Sequence, residues 1–442
     1  MAIIAQKKMF EWEEVDRLGD LDRLRMVLNS LPDEELMEAM EAARGNGRDD
    51  YPIRAVWNSV IAGIVFEHKS AASLRRELLR NAQLRQICGF DVFLGKDAVP
   101  PDHVYSRFLK SLIKHHEKVD AMFEKLVDMV HQELPEFGKY LAIDGKAIES
   151  YGNPRKKEEK LKKADGRRDI DADFGKKTYK GNRKDGTLWE KVIRWFGYQL
   201  NLIVDSEYEL PVAYSVTKAS CSEVKEAHNL LNHLERNHAK ILEVCEQWSG
   251  DRGYDDVKLI KRHWDTHKIK SVIDIRNQWK DGEETRMISS SDNVVYDYMG
   301  TVYCHCPASN ERREMAYGGF EQDRESLKYR CPAKQYGLSC RGENQCPVQG
   351  SIRIPLSFDR RIFTPLARSS YKWKTAYKKR TAVERVNSRL DLSFGFENHF
   401  IRGLKKMKLR CGLALCVMLA MALGRIKENQ KEKMRSLVTA TG

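Results

Sequence analysis

The hydrophobic period of this 442-residue chain changes near residue 140, and that change constrains its architecture more than any other feature. Upstream, apolar residues recur three and four apart over 20–31, 33–43, 53–66, 71–87 and 102–134, which predicts helices. Breaks fall at Ser30 to Pro32, at Gly45 to Gly47 and at Val99 to Pro101, with Asp102 placed as an N-cap. Downstream, β-rich runs occupy 140–144, 195–204 and 211–217, the last two joined by a turn at 205–209. A helix at 223–238 behind the cap Ser222, a strand at 241–248, a helix at 255–267 and a strand at 269–275 complete a βββαβαβ order. The polar, turn-rich 277–362 reads as an insertion, after which helices return at 371–392 and 404–426. The predicted class is α/β: a mixed sheet with helices, preceded by an all-helical N-terminal part and interrupted before its last helices.

Charge narrows the partners. The net charge is +13, but 153–191 carries 14 basic against 8 acidic residues and 367–410 carries 13 against 3, while the bulk of the chain is acidic. Positive charge confined to two stretches and a basic tail suits a polyanion-binding surface. Aromatic residues lie among these cations, Trp189 in the first stretch and Tyr371, Trp373, Tyr377, Phe394, Phe396 and Phe400 in the second, available to stack on exposed bases. The first twelve residues lack the apolar core of a secretory signal. The longest apolar run, 411–423, is about two-thirds of a bilayer crossing and reads as a buried helix, so no membrane partner is expected.

Three acids stand at distinctive places. Asp144 ends the first predicted strand, Asp251 follows the fourth, and Glu384 lies in a helix whose other charged residues, Asp391 apart, are basic. If those strands are neighbours, the two aspartates meet at one sheet edge and the helix can bring the third acid. Such hard oxygen ligands suit two Mg²⁺ or Mn²⁺ ions in an in-line phosphoryl transfer. Lys146, Arg252, Arg380 and Arg385 flank the acids and fit a site that holds phosphates. Gly145, Gly250 and Gly253 would let a nucleic-acid backbone approach.

This layout resembles the ribonuclease H-like core of DDE transposases from bacterial insertion sequences. The likeness is closest to the group marked by a Tyr, two residues, Arg, three residues, Glu, six residues, Lys motif. Here Tyr377, Arg380 and Glu384 are in place and Asp391 stands where the motif has lysine. Positions 377, 380, 384, 388 and 391 would share one face of a single helix. The Asp251-Arg-Gly-Tyr254 element looks like the second-acid motif, and 51–108 resembles the N-terminal domain common in this family.

The resemblance implies a DNA transposase, with Asp144, Asp251 and Glu384 as catalytic metal ligands and with Tyr377 and Arg380 on DNA phosphate near the cleaved end. Arg389, Lys405 or Lys406 would replace the missing lysine contact. It implies terminal inverted repeats and target DNA as partners, a homodimer on paired ends, and a bacterial cytoplasmic, nucleoid-associated location. Five parts follow: a helical DNA-binding domain at 1–138, a catalytic core at 139–276 and 363–427 split by the 277–362 insertion, and a basic tail at 428–442. The rivals are a ribonuclease H-like nuclease without strand transfer and a non-catalytic DNA-binding protein derived from a transposase.

Ten cysteines in such a chain are not expected to form a disulfide framework. Five of them, Cys304, Cys306, Cys331, Cys340 and Cys346, crowd into the insertion, where four thiolates could close a structural zinc site. Zinc would stabilise a region read as too polar to build its own core.

Overall fold

The computed structural model describes residues 19–437 except 46–49, 92, 155–167, 184, 186, 290, 310 and 349. The lysine-rich 155–167 stretch, part of the Gly45 to Gly47 break and the end of the basic tail thus lie outside the described residues. The chain forms two compact units: one from Met1–Leu134, Ala147–Tyr198 and Ser388–Gly442, the other from Pro135–Lys146 and Gln199–Asn387.

The first unit opens with seven helices: α1 (Leu21–Ser30), α2 (Glu34–Arg44), α3 (Ile53–Val65), α4 (Ala71–Arg80), α5 (Ala82–Cys88), α6 (Asp102–Lys114) and α7 (His116–Glu133). Two predicted helices are each broken in two. Asn81 leaves the helical region with φ −103° and ψ 103° and restarts α5 by accepting from the Leu84 amide at 2.9 Å, while His115 interrupts 102–134. Asp102 is the first helical residue and Pro101 takes the cap position. The long helix α14 (Leu404–Lys427) packs against α1, α3 and α7. It has the length and apolarity of a membrane span, yet 94% of its most apolar window is buried, as in the core helix of a bundle. Gly424 allows the approach to α1, because a Cβ there would lie 2.1 Å from Met26 Cγ.

The same unit holds a strand that the sequence analysis lacks, β2 (Asp173–Asn182), paired antiparallel with the first half of β3 (Leu188–Asp205) from Asp173 opposite Gly197 to Asn182 opposite Leu188. The order before the first core helix is therefore ββββ. Leu188 to Arg194 are all exposed, so that end of the ribbon is solvated.

In the second unit the strands run in the order β3, β1 (Tyr140–Glu149), β5 (Gln247–Gly250), β6 (Lys270–Ile273), with β4 (Leu210–Lys218) on β3. β1, β5 and β6 are parallel, with Tyr140 opposite Gln247 and Gln247 opposite Lys270. The 205–209 turn forms as expected: Asp205 accepts from the amides of Glu207 and Tyr208 at 2.8 and 2.6 Å. Helices α8 (Glu223–Asn237), α9 (Ala239–Val244) and α10 (Val257–His267) join the later strands. The predicted strand at 241–248 is mostly α9, and only its end is β5. Its apolar residues Ile241 and Leu242 are buried from a helix.

The insertion does build a core, contrary to the sequence expectation. One antiparallel sheet comprises β7 (Arg286–Met287), β8 (Val294–Tyr296), β9 (Val302–His305) and β10 (Arg312–Glu314). The other comprises β11 (Ala316–Glu321), β12 (Ser326–Arg330) and β13 (Ser351–Pro355), with the short α11 (Pro332–Tyr336) between the last two. Val294, Val302, Leu327, Tyr329, Ile354 and Ile362 are among its buried residues. Beyond it, the predicted single helix at 371–392 is two, α12 (Tyr371–Lys378) and α13 (Thr381–Phe394), separated by a turn at Lys379 and Arg380.

Candidate active site

Parallel pairing of β1 with β5 decides where the aspartates fall. The paired register runs through Ala142 opposite Ser249, and Asp144 lies two residues further along β1. Asp144 is thus inside a longer strand and not at its end, but past the paired segment. Asp251 follows the last residue of β5, begins a short helical turn, and accepts from the Gly253 amide at 2.7 Å. Both carboxylates therefore sit at the carboxyl side of adjacent parallel strands.

The loop after Asp251 is anchored from the insertion's far end. Buried Asp255 takes a bidentate pair from Arg361, Nε to Oδ1 at 3.0 Å and a second nitrogen to Oδ2 at 2.8 Å, and also accepts from the Arg276 amide at 2.9 Å. Tyr254, between them, is almost wholly enclosed. Burial drives its phenol pKa far up, and the charges of Glu223, Asp144 and Asp251 add to that, opposed by Arg380. Its hydroxyl is buried with no hydrogen-bond partner among the described residues.

Glu384 comes from the first turn of α13. Its Oε1 accepts from Arg380 at 2.6 Å, and its side chain is 51% exposed against 18% for Arg380. The motif is not one helical face, since the break at Lys379 and Arg380 separates Tyr377 on α12 from Glu384 on α13. Burial works against the Arg380 charge, but Glu384, Tyr377 and Asp144 outweigh it and hold its pKa above the usual value. Asn387, one turn after Glu384, donates to Asp144 Oδ2 at 3.4 Å, while its own Oδ1 is buried without a partner. Thus Asp144, Asp251 and the Arg380–Glu384 pair surround one locus. No three carboxylates there present oxygens all within 4.8 Å of one another among the described residues. For Glu384 to join an ion there, its half-exposed side chain would turn from Arg380. The all-oxygen donor set fits a hard divalent cation, and the orphaned Tyr254 hydroxyl fits a water or oxyanion in its shell.

The predicted phosphate-binding residues have varied surroundings. Tyr377 stacks on Trp373 at 4.7 Å with an 11° interplanar angle, and the Arg380 guanidinium lies 5.7 Å from the Tyr377 ring centre. Arg252 pairs with Asp274 at 2.6 Å, and Arg385 pairs with Glu209 at 2.7 Å. Lys146 is half-buried on β1. Arg389, Lys405, Lys406 and Asp391 belong to the first unit, where Arg389 donates to the Arg435 carbonyl at 3.3 Å. Phe394 and Phe396 are core residues, whereas Tyr371 and Phe400 are exposed.

In the insertion, burial raises the Cys304 pKa to about 11, and Cys331, Cys346 and Cys340 add to the rise. Cys306 is lowered to about 7 by the Ser309 hydroxyl, with Cys340 also bonding to it. The five thiols are therefore neighbours, but no three sulfurs lie within 4.8 Å of one another among the described residues.

Sequence reasoning missed Glu223, Gln199 and Asn387. Glu223 Oε1 accepts from Gln199 at 2.9 Å and lies beside the backbone at Gly145. A glutamate in the first turn of a capped helix carries no signal beyond stabilising that helix end.

The sequence profile described as "Transposase DDE domain" matches residues 136–420. The chain belongs to this DDE transposase family. The match spans Asp144, Asp251 and Glu384 together with the insertion between the last two. No curated protein matches the chain. Among solved structures, a piggyBac transposase synaptic complex with hairpin DNA covers 98% of this chain and 88% of its own at 9% identity, with a TM-score of 0.30, too low to bear on the fold.

Proposed function

We propose that this transposase binds the terminal inverted repeats of its own element, hydrolyses phosphodiester bonds there and joins the freed 3′-hydroxyls to target DNA. The observation that carries the reading is the placement of Asp144 and Asp251 past the paired ends of adjacent parallel strands, with Arg380 and Glu384 facing the same locus. Asp144, Asp251 and Glu384 would hold two Mg²⁺ or Mn²⁺ ions, whose chemistry is to sharpen the attacking oxygen and neutralise the leaving one. Arg380, released from Glu384, is placed to take a phosphate oxygen, and Asn387 fixes the Asp144 carboxylate.

Water attacks phosphorus first, and the bond to the 3′ oxygen breaks. The resulting 3′-hydroxyl then attacks a target phosphodiester and displaces the target strand's own 3′ oxygen, which leaves as a hydroxyl, so no covalent enzyme intermediate arises and no activated serine or cysteine is needed. The ribbon of β2 and β3 supports DNA binding: Lys176 is exposed on one strand, and Lys191 and Arg194 stand beside exposed Trp189, Val192 and Ile193 on the other. Pairing two ends calls for a homodimer. The cysteine cluster would take one structural Zn²⁺ after side-chain rotation.

Incubating the protein with DNA that carries the flanks of its own gene, then mapping nicks, tests this reading. Nicks should map to the element ends and require a divalent ion. Alanine at Asp144, Asp251 or Glu384 should abolish them while end binding persists. Retained metal-dependent cleavage in all three variants would reject the assignment.

A further inference from the structure

Glu223 is the first residue of α8, behind Ser222, whose side chain caps the helix by accepting from the Lys225 amide. The helix dipole alone accounts for an acid there, but not for where its carboxylate lies. Gln199 on β3 donates to Oε1 at 2.9 Å and turns the side chain toward the two aspartate-bearing strands. A Cβ built at Gly145, next to Asp144, would lie 2.8 Å from Glu223 Oε1. One built at Gly253, two residues after Asp251, would lie 2.5 Å from Glu223 Oε2 and 2.7 Å from Asp251 Oδ1. The two oxygens of Glu223 thus span the gap between the segments that carry the two aspartates.

A second observation is independent of the acids. Tyr254 is buried beside Glu223, Asp144 and Asp251, and its hydroxyl has no hydrogen-bond partner among the described residues. An orphaned donor enclosed by carboxylates needs an oxygen that the protein does not supply, such as a water carried by a cation.

We propose that Glu223, oriented by Gln199, is a fourth carboxylate of the metal centre, bridging the ion site between Asp144 and Asp251, with the Tyr254 hydroxyl bonded to an ion-bound water. This rests on the proposed metal-dependent centre. It adds a ligand that a three-acid site lacks. With Glu223 the strand edge presents three carboxylates before Glu384 arrives, so that rotation of these side chains would hold the first ion while Glu384 remains paired with Arg380.

The test is Mn²⁺ binding to the full-length protein without DNA, read by electron paramagnetic resonance of the free ion, on the wild type and on Glu223→Gln, Asp144→Asn and Glu384→Gln. Glu223→Gln keeps the side-chain shape and an oxygen for Gln199 but loses the charge. It should weaken Mn²⁺ binding about 10- to 100-fold, while Glu384→Gln binds the first ion nearly as the wild type does. Glu223→Asp should restore part of the affinity, and thermal unfolding of every variant should match the wild type. If Glu223→Gln binds Mn²⁺ like the wild type while Asp144→Asn does not, Glu223 is only a helix-end residue and this inference fails alone. If Asp144→Asn also binds normally, the metal-centre reading fails with it.

Discussion

Gly253 is the residue at which geometry and chemistry meet most closely. Its missing side chain leaves room for Asp251 Oδ1 and Glu223 Oε2, each of which would be within 2.7 Å of an added methyl group, and its amide donates to Asp251. Gly253→Ala should therefore push both carboxylates aside. Overpacking of this kind costs about 1–3 kcal/mol, and the displaced ligands should lower end cleavage more than tenfold, roughly the effect of disturbing a metal's outer shell. A cleavage assay beside a thermal melt checks this, and full activity at an unchanged melting temperature would contradict it. At this scale the sequence was informative wherever an acid stood out of context. Asp144 and Asp251 beside predicted strands, and Glu384 amid cations, were legible. Glu223 was not, because first-turn acids are common and its meaning depends on Gln199 and two distant glycines. Asn387 was silent for the same reason: an amide one turn from Glu384 shows its use only when Asp144 Oδ2 is seen 3.4 Å away.

Among the elements, β5, β6 and α10 meet at a buried histidine. His263 on α10 lies 2.9 Å from the Ser271 hydroxyl on β6, and its ring lies 4.8 Å from that of Trp248 on β5. Burial lowers its pKa to about 3 from the ordinary 6.5. Between those values the unfolded chain binds more protons than the folded one, so His263 makes stability fall as pH drops below about 6.5 towards 3. The contribution is at most about 1.4 kcal/mol per pH unit. Urea unfolding at pH 7 and pH 4.5 should show the wild type losing more stability than His263→Gln, and equal losses would exclude this role. Element identity was legible where periodicity was long, as in α3 and α14. It failed where the two periods overlap or where neither is present. Ile241, Leu242 and Val244 satisfy a strand pattern and a helical one equally, and the solvated ribbon of β2 shows no alternation to read. The break between α12 and α13 carries neither glycine nor proline, so nothing marks the turn at Arg380 that leaves its guanidinium on Glu384.

On the scale of the whole molecule, the sequence separated helical from mixed segments, but the polarity of 277–362 hid a core. The buried residues of 277–362 come a few at a time from short strands, yet Val294, Leu327, Ile354 and Ile362 assemble into a cluster. The insertion also reaches the candidate site through Arg361 and its buried pair with Asp255, four residues after Asp251. The charge pattern has a comparable logic: each unit carries part of the basic stretches, and an acidic centre would accept DNA only once its own charge is offset. That offset is the central claim: the carboxylates of Asp144 and Asp251 touch the ion that cleavage requires. The most direct measurement is end cleavage by Asp144→Cys and Asp251→Cys in Mg²⁺ and in Mn²⁺, because a thiolate is a poor ligand for Mg²⁺ and a better one for the softer ion. The account predicts cysteine variants that are inactive in Mg²⁺ and active in Mn²⁺, with the alanine variants inactive in both. Cysteine variants that cleave in Mg²⁺ as the wild type does would contradict it.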